Sequence, residues 1–352
     1  MSCLRVTHVT LLVIAGLLCL SGCAHTRFHA FEPLLPEPET CDAPQWLVGF
    51  RYPSFTGSQT ELVAVEGYQA GKIPVVFVHG LASDATAWDE MIAELMKDSS
   101  LRQQFQFWTF RYPTGASYLH SAAELRIAWI DALTRYDPQG RDEALRNAVF
   151  VGHSMGGLLS RLQVTTCDDQ LWRCVPKEAM TEVLRQPTLH AALKRAFEFK
   201  SQPTIRRVVY IATPHGGSHA TESIPGKIAS RLVVFPEEIQ KSFETLRSGT
   251  EGLPDRVPNA VDHLAPGNAV LETVASLPIA LNVKTHSIIG SGFLTPGPGT
   301  GDRVVTVANA RTPGVESELL VESKHTDIHR ARETVAELKR ILRVHADEAI
   351  RQ

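Results

Sequence analysis

The sequence predicts an α/β fold of the doubly wound kind, a mostly parallel sheet with helices on both faces. Three observations carry that expectation. From Ile73 onward, short apolar runs rich in Val, Ile and Phe alternate with stretches whose apolar residues recur at helical spacing. One run, Val149 to Val151, passes directly into Gly152-His153-Ser154-Met155-Gly156 and then into Leu158, Leu159 and Leu162. That is a buried strand, a tight turn around a serine and a helix, without a break. The composition, 43% hydrophobic and 21% charged over 352 residues, suits one large domain with insertions.

Taken in order, the chain opens on a segment outside the fold. Arg5 is the only charge before the apolar run Val9 to Leu20, and small residues follow. This is the layout of a secretory signal, assigned to residues 1–22 and too short to span a bilayer as a stable helix. Its end, Leu20-Ser21-Gly22-Cys23, resembles the lipobox of bacterial lipoproteins. The resemblance implies acylation of Cys23 and anchoring to a membrane through the acyl chains. Ala24 is not the aspartate that retains such lipoproteins at the inner membrane, so the implied location is the outer membrane, facing the periplasm. Residues 23–45, with Pro33, Pro36, Pro38 and Pro44, read as the lipidated cysteine and an extended tether.

The folded domain is assigned to residues 46–352. Trp46 to Arg51 and Glu61 to Glu66 are candidate strands at the antiparallel start of the sheet. Val75 to Val78 is a buried strand ending at His79-Gly80-Leu81, followed by an amphipathic helix through Trp88, Met91, Leu95 and Met96. Phe105 to Phe110 is the next strand and Ser121 to Tyr136 the next helix. After the serine turn come strands at Ile205 to Ile211, Thr285 to Ile289 and Leu319 to Val321, then a closing helix from Ala331 to about Val344. Two stretches, about 167–203 and 220–278, break the rhythm and are read as insertions forming a cap.

Composition also excludes. A net charge of -3 with no basic excess argues against nucleic acid as the main partner. Of six cysteines, Cys3 and Cys19 belong to the signal. Cys41, Cys167 and Cys174 remain beside Cys23. Cys167 and Cys174 are compatible with a small-loop disulfide or with free thiols, and their surroundings lack the spacing of a zinc site. No metal or other cofactor is implied.

The Gly-x-Ser-x-Gly turn and the segment Thr213-Pro214-His215-Gly216-Gly217-Ser218 resemble those of the α/β-hydrolase fold serine esterases and lipases. The resemblance spans roughly Pro74 to Val344. It implies that Ser154 is a nucleophile at a strained elbow, where a Cβ on either flanking glycine would collide with its neighbours. A serine hydroxyl needs a base, and the base needs a group to fix its tautomer. The family order serine, acid, histidine points to Asp302, in Gly301-Asp302-Arg303-Val304-Val305, and to His325, just after the last strand. Glu322 and Asp327 are rival acids, and His329 is the rival base. The implied oxyanion donors are the backbone N–H groups of Met155 and Leu81. His153 and His215 are read as packed, structural histidines.

The resulting expectation is a membrane-anchored serine hydrolase acting on ester or lipid-like small molecules. Acyl transfer by the same triad is an alternative, as is an idle lipoprotein that uses the scaffold for binding. A haloalkane-type chemistry is disfavoured, because it replaces the serine with aspartate.

Overall fold

A computed structural model of the chain describes residues 60–350, apart from residue 176 and most of 223–254, together with Leu47, Phe50 and Arg51. The expected signal, Cys23, Cys41 and the tether lie outside the described residues. Seven strands form one sheet in the order β1-β3-β2-β4-β5-β6-β9. They are β1 (Glu61–Ala64), β2 (Ile73–Val78), β3 (Phe105–Arg111), β4 (Ala148–His153), β5 (Ile205–Ile211), β6 (Lys284–Ser291) and β9 (Ser317–Glu322). β1 runs antiparallel to β3, and every other pairing is parallel. A separate hairpin joins β7 (Phe293–Leu294) to β8 (Thr300–Gly301).

β2 and β4 are buried along their whole length, which is why they read as near-continuous apolar runs. Their side chains still alternate between two cores. Val76, Val78, Phe150, Val208 and Tyr210 face one apolar cluster; Val75, Phe77, Val149, Val151 and Val209 face the other. The first cluster is covered by α3 (Tyr118–Tyr136), α4 (Met155–Arg161), α5 (Lys177–Arg185), α6 (Pro187–Phe197) and α7 (Ala269–Ser276). The second is covered by α1 (Asp89–Met96), α2 (Ser99–Gln104) and α8 (Arg332–Ile350). Helix starts follow local chemistry. Asp98 accepts the N–H groups of Ser100 and Leu101 to open α2, and Asn268 does the same for Val270 and Leu271 at α7.

One expectation is corrected. The sequence of Trp46 to Arg51 predicts a strand, but its described residues Leu47, Phe50 and Arg51 are helical. Leu47 and Phe50 stand three apart, the spacing of one helix face, and Phe50 is buried. The segment 167–203 contains α5 and α6, and α6 buries Leu189, Leu193 and Phe197 in the first core. Cys167 and Cys174 are buried free thiols. Cys174 Sγ contacts Thr273 Oγ1 at 3.3 Å, which ties this segment to α7.

Candidate active site

The site forms where β4 stops. Ser154 has φ 53° and ψ -126°, a left-handed backbone for a residue with a Cβ, and Met155 directly starts α4. The glycines around it are sterically required. A Cβ on Gly152 would lie 2.4 Å from Gly156 O, and one on Gly156 would lie 2.2 Å from Val78 O. A third glycine, Gly157, leaves space for Thr213, whose Oγ1 would be 1.8 Å from an added Cβ. The turn is therefore wedged between β2, α4 and the end of β5.

Three side chains from three distant places meet there. Ser154 Oγ lies 2.8 Å from His325 Nε2, and His325 Nδ1 lies 2.8 Å from Asp302 Oδ2. All three are buried, at 7%, 8% and 1% exposure. The other Asp302 oxygen, Oδ1, accepts the N–H groups of Val304 at 3.0 Å and Val305 at 2.7 Å, so the carboxylate is fixed by its own turn. Gly290, in β6, is cut to fit: an added Cβ would stand 2.5 Å from Asp302 Cβ. The strained residue beside it, Arg303 at φ 84°, donates its N–H to Thr295 Oγ1 at 2.9 Å.

The rival residues stand elsewhere. Glu322 and Asp327 are exposed. His329 is buried with its ring 4.9 Å from that of His153 and edge-on to Trp88. Burial pushes its imidazole down to about 4, with Arg330 adding to the effect.

The loop after β2 closes on the serine. A Cβ on Gly80 would fall 3.0 Å from Ser154 Cβ, so the His79-Gly80-Leu81 backbone runs directly past Ser154. Ala82, at φ 51°, donates its N–H to Thr114 Oγ1 at 3.1 Å and pins this loop. Met155 opens α4, where the first-turn N–H groups have no partner within the helix. These are the two places from which oxyanion donors were expected. His79 stacks on Tyr112, whose hydroxyl donates to His79 O at 2.7 Å. Burial pushes the His79 imidazole down to about 4. Among the described residues no group of His, Cys, Asp or Glu is arranged to hold a metal.

Part of what supports the site has little signal in the sequence. The segment Thr213 to Ser218 braces the turn that carries Asp302. Ser218 Oγ donates to Val304 O, Gly216 N–H donates to Asn309 O at 2.8 Å, and Asn309 Nδ2 donates to Gly217 O at 3.0 Å. Arg161, at the end of α4, is 4% exposed and reaches the carbonyls that end α7. The available signal was its place in a helix with leucines at 158, 159 and 162, which buries whatever stands between them.

The sequence profile described as the alpha/beta hydrolase family matches residues 75–338. The chain belongs to the alpha/beta hydrolase family. Among solved structures, this alpha/beta hydrolase is similar to a Bacillus licheniformis lipase in mature form. The identity is 17% over 81% of this chain and 98% of that one, with TM-score 0.48. It is also similar to a structure from work on carboxylesterases of the ammonia-oxidizing Nitrososphaera gargenis, 14% identical over 82% and 95% of the chains, TM-score 0.41. An enol-lactonase from Burkholderia xenovorans is 14% identical over 81% and 95%, TM-score 0.40. No curated protein matches the sequence.

Proposed function

We propose that this protein is a serine hydrolase that cleaves carboxylic esters through an acyl-enzyme, held at the bacterial envelope by a lipidated Cys23. The observation that carries the reading is the continuous hydrogen-bonded chain from Ser154 Oγ through His325 to Asp302, with both contacts at 2.8 Å. In this scheme Ser154 Oγ attacks the ester carbonyl while His325 Nε2 takes its proton. Asp302 Oδ2 accepts the Nδ1–H, fixes the tautomer and stabilises the imidazolium. The Leu81 and Met155 N–H groups hold the oxyanion, each donor contributing about 3 kcal/mol in comparable sites. Collapse of the tetrahedral intermediate expels the alcohol, which receives its proton from His325 Nε2–H. Water then attacks the acyl carbon while His325 Nε2 takes its proton, and collapse of the second intermediate breaks the bond to Ser154 Oγ, which receives that proton back as the acid leaves.

The described parts of 167–203 and 220–278 complete the proposal as a cover. Support comes from the second segment, where Ala260 N–H donates to Gly115 O and Leu264 O accepts from Ser218, both beside the site loops. The expected lipid anchor and the cover favour lipid-like esters. The envelope location and the anchor rest on the N-terminal sequence alone.

The test is hydrolysis of p-nitrophenyl esters from acetate to palmitate by the full chain in mild detergent. Ser154→Ala is expected to lose at least about 10³-fold in kcat with its melting curve unchanged. Turnover in that variant at the native rate removes the reading. A folded wild-type protein that hydrolyses no ester and ignores a fluorophosphonate probe points instead to a binding scaffold.

A further inference from the structure

The nucleophile and the base arrive from strands that are not neighbours. β4 ends at His153 and β9 leads to His325, and β5 and β6 lie between them. At about 4.8 Å per strand step that separation is roughly 14 Å. The three residues after Glu322 must carry the imidazole back over β6 and β5, so something at the far end has to catch it.

The His325 main chain is caught on both sides. Its N–H donates to Asp302 O at 2.9 Å. Its carbonyl accepts from His153 Nε2 at 2.9 Å, across 172 residues of chain. A carbonyl only accepts, so Nε2 of His153 carries the proton and the tautomer is defined. The ring has little room to turn. It lies 5.0 Å from the His325 ring and 4.9 Å from the His329 ring, and a Cβ on Gly80 would come within 3.2 Å of its Nδ1. Burial, then the charges of His325 and His329, push its imidazole well below the ordinary value, which keeps it a neutral donor.

We propose that His153 is a positioning residue, whose Nε2–H holds the His325 carbonyl and so sets the distance between base and nucleophile. The assignment rests on the hydrolase reading above. His153 is the residue immediately before Ser154. One peptide unit and one hydrogen bond therefore link the serine to the backbone of its base, bypassing two intervening strands. Displacements of about 1 Å in such a pair cost on the order of 10²-fold in rate, so this link acts on kcat.

The experiment compares full-length wild type, His153→Gln, His153→Asn and His153→Leu. It reads p-nitrophenyl butyrate kinetics and the rate of phosphonylation by a fluorophosphonate probe. The glutamine amide nitrogen reaches about as far as imidazole Nε2, and that of asparagine does not. His153→Gln is expected to keep kcat within about threefold of wild type. His153→Leu and His153→Asn are expected to lose about 30-fold in kcat and in phosphonylation rate, with KM within about twofold. If the leucine variant does not fold, the asparagine variant carries the comparison. The proposal is overturned if the leucine or asparagine variant keeps its kcat, or if glutamine loses as much as they do. A wild-type protein silent to both ester and probe overturns the hydrolase reading and this assignment together, an outcome distinct from an active enzyme indifferent to residue 153.

Discussion

At the scale of single residues, the site is a set of close fits around one strained serine. Gly156 shows how tight they are, since its missing side chain leaves room for backbone oxygens of Val78 and His79. Neither oxygen can move without breaking the end of β2. Gly156→Ala is therefore expected to cost at least about 3 kcal/mol, measured by urea unfolding. A loss below about 1 kcal/mol would mean that the elbow is more compliant than this packing implies. Ser154, Asp302 and His325 were legible because each sits in a local pattern whose place in chain order carries information. The hydrogen bond from His153 to His325 was not. His153 reads in sequence as a packed histidine, and nothing local says that its partner is a carbonyl 172 residues away.

At the scale of elements, the central parallel strands were legible for a simple reason. Buried on both faces, β2 and β4 have no polar alternation to confuse. What was lost lay at the margins. The two-residue strands β7 and β8 flank the Gly- and Pro-rich run 295–299, which has no period to read. The helical residues Leu47, Phe50 and Arg51 read as a strand in sequence because the run is too short to separate periods of 2 and 3.6. Arg161 belongs to this scale because it joins two elements. Its guanidinium donates to Val274 O at 3.2 Å, Ala275 O at 2.8 Å and Leu277 O at 3.0 Å, closing the C-terminus of α7 with a cation. Arg161→Leu leaves those carbonyls without their donor and is expected to destabilise by about 3 kcal/mol. Arg161→Lys should restore little, because one ammonium cannot span three acceptors. Equal unfolding midpoints for Arg161→Lys and wild type would refute that account.

At the scale of the molecule, the sheet is closed at the end opposite the site by a polar knot around the buried Arg207, His286 and His345. Arg207 on β5 donates to His286 Nε2 on β6 and, from α8, to His345 Nδ1 at 3.1 Å and Glu348 Oε2 at 2.6 Å. His286 Nδ1 meets Ser317 Oγ on β9, which donates to Glu337 Oε1, itself paired with Arg340. His345 Nε2 donates to Asn147 O, and Lys284 pairs with Glu348. Both imidazoles must stay neutral to accept from Arg207. Burial, and after it the Arg207 charge, pushes His286 down to about 3 and His345 to about 4. Their folded values lie below the unfolded value near 6.5, so the unfolded chain binds protons first as pH falls. Their contribution is complete above about pH 6.5 and is lost on descent towards pH 4 and 3. The melting temperature is expected to drop by more than about 10 °C between pH 7 and pH 4, and a flat profile would contradict the argument. The sheet order has one more consequence, for a chain still being made. The serine is installed at the centre of the sheet 171 residues before its base partner, and the base follows the last strand. Any product interrupted in between carries, on the proposed chemistry, a nucleophile with nothing to deprotonate it. On the proposed chemistry, reactivity is the last property this polypeptide acquires, and unfinished copies pass through the cell inert.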